Sequence, residues 1–587
     1  MTASQGTTLE KKDVTDSVKV ITKEAIEESR VTTLDEALSK LGGLSIAQNG
    51  GAGKTSSIYL RGMSSKRILV LIDGVRYNNP TSFSGAEFSQ IMLHDVEQIE
   101  IIKGSSSGVW GSDATAGVIN IITSKAKNGF HSSLNVEYGS FETKKVSLQT
   151  SYKTDSYDVM VSGLIYDTDG FSAVEAKKSE DDYGKRYDEL GLERDSYENQ
   201  SINTKLGFNI TGSHRVEMTL QAINSLNLYD GGAGITKDNT LPQTYLQNRF
   251  YNLGYTYKGS TNDIKVNLSS STFDRDIVGT YGNSTYTGAV SEIKIDDKIL
   301  YMENSFLRIG ASYQEFEHEE VTEDTDKDYS AISAFITNYN SLQLLSDNNT
   351  IITESIRFDK YDEFDNSLTG KVGAKQFIDK DFYISTNIGT GYNAPTLSQL
   401  YGKWGANPNL APEKSLTSDV TIGNDIVWIT GFYNEIEDLI EYDWTLGYQQ
   451  TTGKSRFKGI ELAYGDFLLD RVGVSATYTY VKTEDSQGKE LARRPKSQVD
   501  ANVVYYVSDS FDVGLNAQYI GERYDKADKQ GAMTGKYTVA NFVTNYELNR
   551  YITFYGKIDN LTDKYYQSVD GYATAKRSFY LGLNAKY

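Results

Sequence analysis

The chain has no cysteine among its 587 residues. That excludes a disulfide framework, thiolate catalysis and thiolate metal sites. Only 6 prolines are present. Proline cannot donate to a strand ladder, so its scarcity suits long paired strands. The 4 histidines, His94, His131, His214 and His318, are scattered and give no basis for a clustered imidazole site. No stretch approaches the roughly 18 apolar residues of a transmembrane helix. That excludes a helical membrane protein, and the mean hydropathy of -0.47 is as polar as that of a soluble protein. It leaves room for a transmembrane barrel, where only alternate residues face lipid. Met1 to Gly6 shows no basic segment followed by an apolar core, so no signal peptide is legible and an exported protein would have lost it.

Tyrosine is in excess at 43, glycine at 51, and aromatics make up 12% of the chain. Tyrosine suits a membrane interface, since its ring has one apolar and one wet end. The net charge of -20 argues against nucleic acid, because phosphate recognition needs cationic clusters. Such acidity fits soluble polar loops or divalent-cation binding within them.

Residues 1–126 read as a small mixed α/β domain. A short helix is expected from Thr22 to Glu28. Thr33-Leu34-Asp35-Glu36 fits a capping box, with Leu34, Leu38 and Leu41 on one face and Gly42-Gly43 as the stop. Strand patterns follow at Ser57–Gly62, Ile68–Val75, Val96–Gly104 and Gly117–Thr123. The Gly/Ser-rich stretch Gly104–Gly117 lacks the Gly-Lys-Ser/Thr of a phosphate loop and reads as a turn.

Residues 127–587 read as a run of amphipathic strands. Phe579, Leu581, Leu583, Ala585 and Tyr587 point one way; Ser578, Tyr580, Gly582, Asn584 and Lys586 point the other. The same alternation recurs from Phe511, Val472 and Ile552. Such segments are about 9–11 residues long, enough for a tilted strand to cross a bilayer. Tight joints at Leu548–Arg550 and Tyr506–Ser510 contrast with long acidic ones at Asp167–Ser201, Tyr229–Gln247, Glu317–Asp328 and Asp525–Gly535. Short turns at one end and long loops at the other is an outer-membrane pattern. The fold expected is membrane β: a transmembrane β-barrel of about 22 antiparallel strands, closed by the N-terminal mixed α/β plug domain.

The residues also resemble a known family. Ser56–Gly62, Val70–Val75, Val96–Gly104, Trp110–Ala114 and Gly117–Ile121 look like the plug of TonB-dependent receptors. Tyr392–Pro395, Gln399–Gly402, Asn407–Leu410, Pro412–Ser415, Gly459–Glu461, Arg493–Pro495, Asn560–Tyr566 and the final Tyr587 continue the resemblance through the barrel. Within the family, Asn49–Gly53, Ile429–Ile440, Arg523–Lys526 and Gly571–Ala575 resemble the cobalamin (vitamin B12) receptors. Two departures stand out. Ser105 replaces the proline usual after Lys-Gly, and only Thr2, Ala3 and Ser4 resemble the TonB box, which looks mostly cut off.

The resemblance implies a monomer in the outer membrane of a Gram-negative bacterium, in contact with lipid and lipopolysaccharide. It imports a scarce nutrient with energy delivered by TonB from the periplasm, and it is not an enzyme. The cargo implied is a corrinoid, with a ferric siderophore, and less readily haem, as the alternative. A non-transporting adhesin or structural barrel is the reading from another class. Carried over, the substrate contacts are Lys54, Thr55, Ser56 and Ser57 on one plug loop and Asn78, Asn79, Ser82 and Phe83 on a second. Tyr401 and Trp404 are placed to stack on a flat ligand. Calcium in the outer loops would take Asp195, Glu198, Tyr229, Asp230 and Asp238 as oxygen ligands. Arg61 and Arg76 are expected to lock the plug by pairing with barrel carboxylates such as Glu461.

Overall fold

The computed structural model describes residues 4, 6–7, 9–83, 85–280, 282–343, 349–443 and 445–587. Thr2 and Ala3 of the expected TonB box lie outside the described residues.

Residues 129–586 carry a closed barrel of 22 strands, each antiparallel to its neighbours in chain order. Closure comes from the first strand, Gly129–Gly139, pairing with the last, Ser578–Lys586, in a ladder from Tyr580↔Gly139 to Lys586↔Ser133. The alternation read from the sequence becomes two faces. On Asp195–Asn209, Tyr197, Asn199, Ser201 and Asn203 are buried in the lumen, while Ile202, Leu206 and Phe208 are exposed outside. Leu581 is 73% exposed and Ile332 59% exposed, amid many other outward aliphatic and aromatic side chains. An apolar surface of that extent is stable against lipid, not water. Among the described residues no helix is long and apolar enough to cross a membrane.

The strands are longer than expected. Ser284–Met302 has 19 residues and Thr325–Leu342 has 18. The segment Glu317–Asp328 is therefore no long loop: its flanking strands stay paired up to Glu320↔Thr325. Backbone pairing satisfies N–H and C=O groups as well above the bilayer as within it, so the ladder continues past the membrane. The joints at the end holding 172–194 and 229–242 are the long ones, which marks that end as the outer face.

The described residues up to Thr123 fill the lumen. A five-stranded sheet joins Ser17–Thr22, Val96–Lys103, Gly117–Thr123, Ile68–Ile72 and Val75–Arg76, with Ile68–Ile72 parallel to Gly117–Thr123. Ile68–Ile72 is buried along its whole length, matching its continuous apolar run. The helices are Lys23–Ser29, capped by the Thr22 hydroxyl accepting from Ala25 N at 3.3 Å, and Leu34–Lys40. The capping box at Thr33 does not form as expected. Asp35 accepts from Glu36 N at 3.0 Å and from the Thr33 hydroxyl, while Glu36 accepts from Thr32 N at 2.7 Å. A carboxylate one residue into the helix outcompetes the neutral hydroxyl for the same orphan donor.

Candidate functional site

The plug is pinned to the barrel wall by ion pairs. Arg61 sits at φ 50° in the tight turn joining Ser56–Leu60 to Met63–Ser64. Its guanidinium donates to Asp419 Oδ2 at 2.9 Å and to Glu461 Oε2 at 3.1 Å, and all three side chains are buried. Lys103 reaches the other Glu461 oxygen at 2.7 Å. Arg67 makes a two-toothed pair with Glu413, at 2.8 and 2.6 Å. Arg76 does not join this set. It donates to Asp113 Oδ2 at 2.5 Å and to the Ser112 and Trp110 carbonyls, all within the plug. The strand Val75–Arg76 ends beside Trp110 and the loop after Ser107–Trp110, which supply all three of these partners. Ser105 supplies its N–H to Thr417 Oγ1 at 2.9 Å and its hydroxyl to the Thr390 carbonyl at 2.8 Å. Proline there would remove the first of these donors.

The first plug loop, 49–55, presses against the roots of two outer loops. Gly53 has φ +74°, and a Cβ on it would fall 2.1 Å from the Tyr197 ring. Lys54, next along, is buried, and its ammonium donates to Asn227 Oδ1 at 2.8 Å and to the carbonyls of Asp195 and Ala52 at 3.2 and 3.3 Å. Burial pushes Lys54 down to about 8, against the pull of Asp195 and Asp230. Ser56 is also buried and donates to Asp35 at 2.6 Å, while Thr55 is exposed and Ser57 half-buried.

The second plug loop is no freer. Asn78 holds its own sheet edge, accepting from Val70 N and donating to the Ile68 carbonyl. Asn79 accepts from Thr81 N and its hydroxyl, both at 2.8 Å. Ser82 is buried and Phe83 stacks on Tyr448, ring centroids 5.7 Å apart. Asn78 and the Asn79 oxygen thus help build the loop itself: a short polar side chain beside unpaired backbone is captured locally. Tyr401 ends the helix Leu397–Tyr401 and bonds Glu363, and Trp404 is 44% exposed nearby.

A different set of residues surrounds the outward cavity. About 630 Å³ of space is bounded by Asn49, Lys177, Lys178, Arg493, Lys526 and Tyr572, with Asp525, Asp570 and Ala233 also at its edge. Neither Tyr401 nor Trp404 reaches it. Arg493 pairs with Asp525 at 2.8 Å. Gly571 ties the cavity to two outer loops, its carbonyl accepting from Glu175 N at 3.1 Å and Gly234 N at 3.0 Å. Asn49 and Tyr572 fall in or beside sequence stretches already singled out. Lys177 and Lys178 carried no local signal, because only the fold of 172–194 brings them inward.

Beside Lys54 lies a carboxylate cluster. One oxygen each of Glu193, Asp195 and Asp230 lies within 4.8 Å of the others. Asp238 is held at its edge by Ser172, whose hydroxyl donates at 3.4 Å. Burial and crowding raise two of the aspartates: Asp230 is pushed up to about 8 by burial and then by Asp195, Asp238 to about 7 by burial and then by Glu193. Glu193 Oε1 and Asp230 Oδ2 are buried without a hydrogen-bond partner. Hard oxygen donors, crowded and part-unsatisfied, fit calcium. Glu198 does not belong to the cluster. It is exposed on the outer face of its strand, three residues from Asp195 and so on the opposite side of the pleat. Tyr229 is half-buried and bonds through its backbone N–H to the Pro242 carbonyl at 3.1 Å; its phenol makes no hydrogen bond to the cluster. Glu193 is the ligand candidate the sequence reading missed, lying just before the strand.

The chain matches the family described as TonB dependent receptor-like, beta-barrel, over residues 125–561, and the TonB-dependent Receptor Plug Domain over residues 10–118. It belongs to the TonB-dependent receptors: an outer-membrane protein of Gram-negative bacteria, a transport receptor and not an enzyme. Solved structures share the fold at low identity. The siderophore receptor PirA from Acinetobacter baumannii superposes with a TM-score of 0.81 at 17% identity, covering 97% of this chain and 98% of that one. A ferric enterobactin receptor mutant from Pseudomonas aeruginosa, in complex with enterobactin, gives 0.81 at 18%, covering 97% and 99%. The siderophore receptor PiuA from Acinetobacter baumannii gives 0.79 at 17%, covering 98% and 97%.

Proposed function

We propose that this receptor binds and imports a corrinoid, held in the outward cavity between Asn49 and Tyr572. One observation carries the reading. Three separate stretches that resemble cobalamin receptors, around Asn49, Asp525 and Tyr572, border the same space. Amide, hydroxyl and aromatic groups there suit a ligand rich in amides with a flat ring system. We further propose calcium at Glu193, Asp195, Asp230 and Asp238. There it would fix the loop 229–242, whose Ala233 borders the cavity. Binding and gating are the whole of the chemistry. The outer membrane holds no nucleotide or ion gradient, so TonB supplies the work that remodels the plug.

A second reading, an anionic ferric siderophore, is favoured by Lys177, Lys178, Arg493 and Lys526 against only Asp525 and Asp570 at the cavity edge. The similar solved receptors bear names that point the same way. Calorimetry on the detergent-purified protein separates the two. Cyanocobalamin binding at nanomolar affinity, strengthened by calcium, supports the corrinoid. Binding of ferric enterobactin with no heat from cyanocobalamin overturns it.

A further inference from the structure

Lys54 is placed unlike a ligand-contacting side chain. Gly53 before it has no room for a Cβ against Tyr197, and the Lys54 side chain reaches the strand ends at Asp195 and Asn227, the roots of 172–194 and 229–242. Four oxygens surround the ammonium: the carbonyls of Ala52, Asp195 and Ser196, and the Asn227 amide oxygen at 2.8 Å. It is 2% exposed. A buried ammonium needs compensation, and besides the cage it has the carboxylates of Asp195 and Asp230 close by. Those two belong to the cluster whose Asp230 Oδ2 is buried and unpartnered. The plug thus sets its own positive charge beside the outer carboxylate cluster, against the Asp195 backbone.

We infer that Lys54 is a built-in counter-cation for this cluster, which fastens the outer loops to the plug without a divalent ion and holds down the cluster's affinity for one. The inference rests on the reading of Glu193, Asp195, Asp230 and Asp238 as a divalent-cation site. Two cations beside the same carboxylates repel each other, and the coupling is reciprocal: what weakens calcium also means that bound calcium weakens the hold of Lys54. Calcium binding would therefore weaken the hold of Lys54 while itself ordering the outer loops.

The test uses the whole chain, which has no cysteine and so takes a single spin label cleanly. The label goes on Thr236→Cys, exposed in the outer loop. Calcium is titrated by calorimetry into the parent, Lys54→Met and Lys54→Arg, and label mobility is read in EDTA and in calcium. The expected result is an affinity about tenfold higher for Lys54→Met, with the parent and Lys54→Arg alike. In EDTA the label is immobile in the parent and Lys54→Arg, mobile in Lys54→Met, and immobilised there by calcium. Equal or weaker calcium affinity in Lys54→Met overturns the inference. If no variant binds calcium, the divalent-site reading fails on its own. The EDTA comparison then decides the role of Lys54, because an equally immobile label in Lys54→Met removes it.

Discussion

Arg61 of the plug and Glu461 of the barrel wall meet at 3.1 Å with both side chains buried. Asp419 shares the guanidinium at 2.9 Å and Lys103 shares the carboxylate at 2.7 Å, so four charges compensate one another inside the lumen. Removing one member leaves the rest unbalanced. Arg61→Ala is expected to weaken plug docking by about 3–5 kcal/mol, as for a broken buried pair. Single-channel recordings should then show raised conductance. Unchanged conductance would remove this pair from the plug-holding account.

Glu175 is fully buried in the outer loop and is pushed up to about 7 by burial, against the pull of Arg186. A raised carboxyl favours the folded loop while protonated. Its contribution is whole below about 4.5, the ordinary value, and is lost as pH rises through about 7. Hydrogen exchange of 172–194 should therefore quicken between pH 5 and pH 8 beyond its intrinsic pH dependence. Glu175→Gln should abolish that excess; an excess unchanged in the variant would assign the effect to another group.

Gly53 has no substitute. At φ +74°, with a Cβ 2.1 Å from Tyr197, alanine meets both backbone strain and a clash. Gly53→Ala should lower cargo affinity by about tenfold, which corresponds to about 1.4 kcal/mol. Calorimetry checks this, with barrel folding verified by heat-modifiable migration. Undiminished affinity would show that the first plug loop does not shape the cavity.

Charge at the cavity edge separates the two cargo readings. Replacing Lys177 and Lys526 with glutamine should leave cyanocobalamin binding within about threefold, since a corrinoid's amides offer those ammonium groups no anionic partner. The same pair of changes would reduce binding of a triply charged ferric chelate by about tenfold or more.

Much of the fold was legible because its signals are local. Alternation of period two fixes which face of Ser578–Lys586 meets lipid, and the apolar run Ile68–Ile72 marks a buried strand without any neighbour being known. Strand ends were less legible, since pairing beyond the bilayer leaves no change of pattern at Glu320 or Thr325. The site was least legible. Lys177 meets Asn49 and Tyr572 only through the fold of the outer loops, and Glu193 lies with Asp195 and Asp230 where Glu198 does not, because a strand turns alternate residues outward. Asn78 resembles a ligand contact in sequence, yet its amide is taken by the backbone of Ile68 and Val70.

The most direct test is uptake of radiolabelled cyanocobalamin. The cells are Gram-negative, lack a cobalamin receptor of their own, and produce this protein from its own gene, with and without TonB. Accumulation that requires both this protein and TonB is the predicted result. Accumulation that persists without TonB, or its absence in cells that do accumulate a ferric siderophore through this protein, would contradict the account.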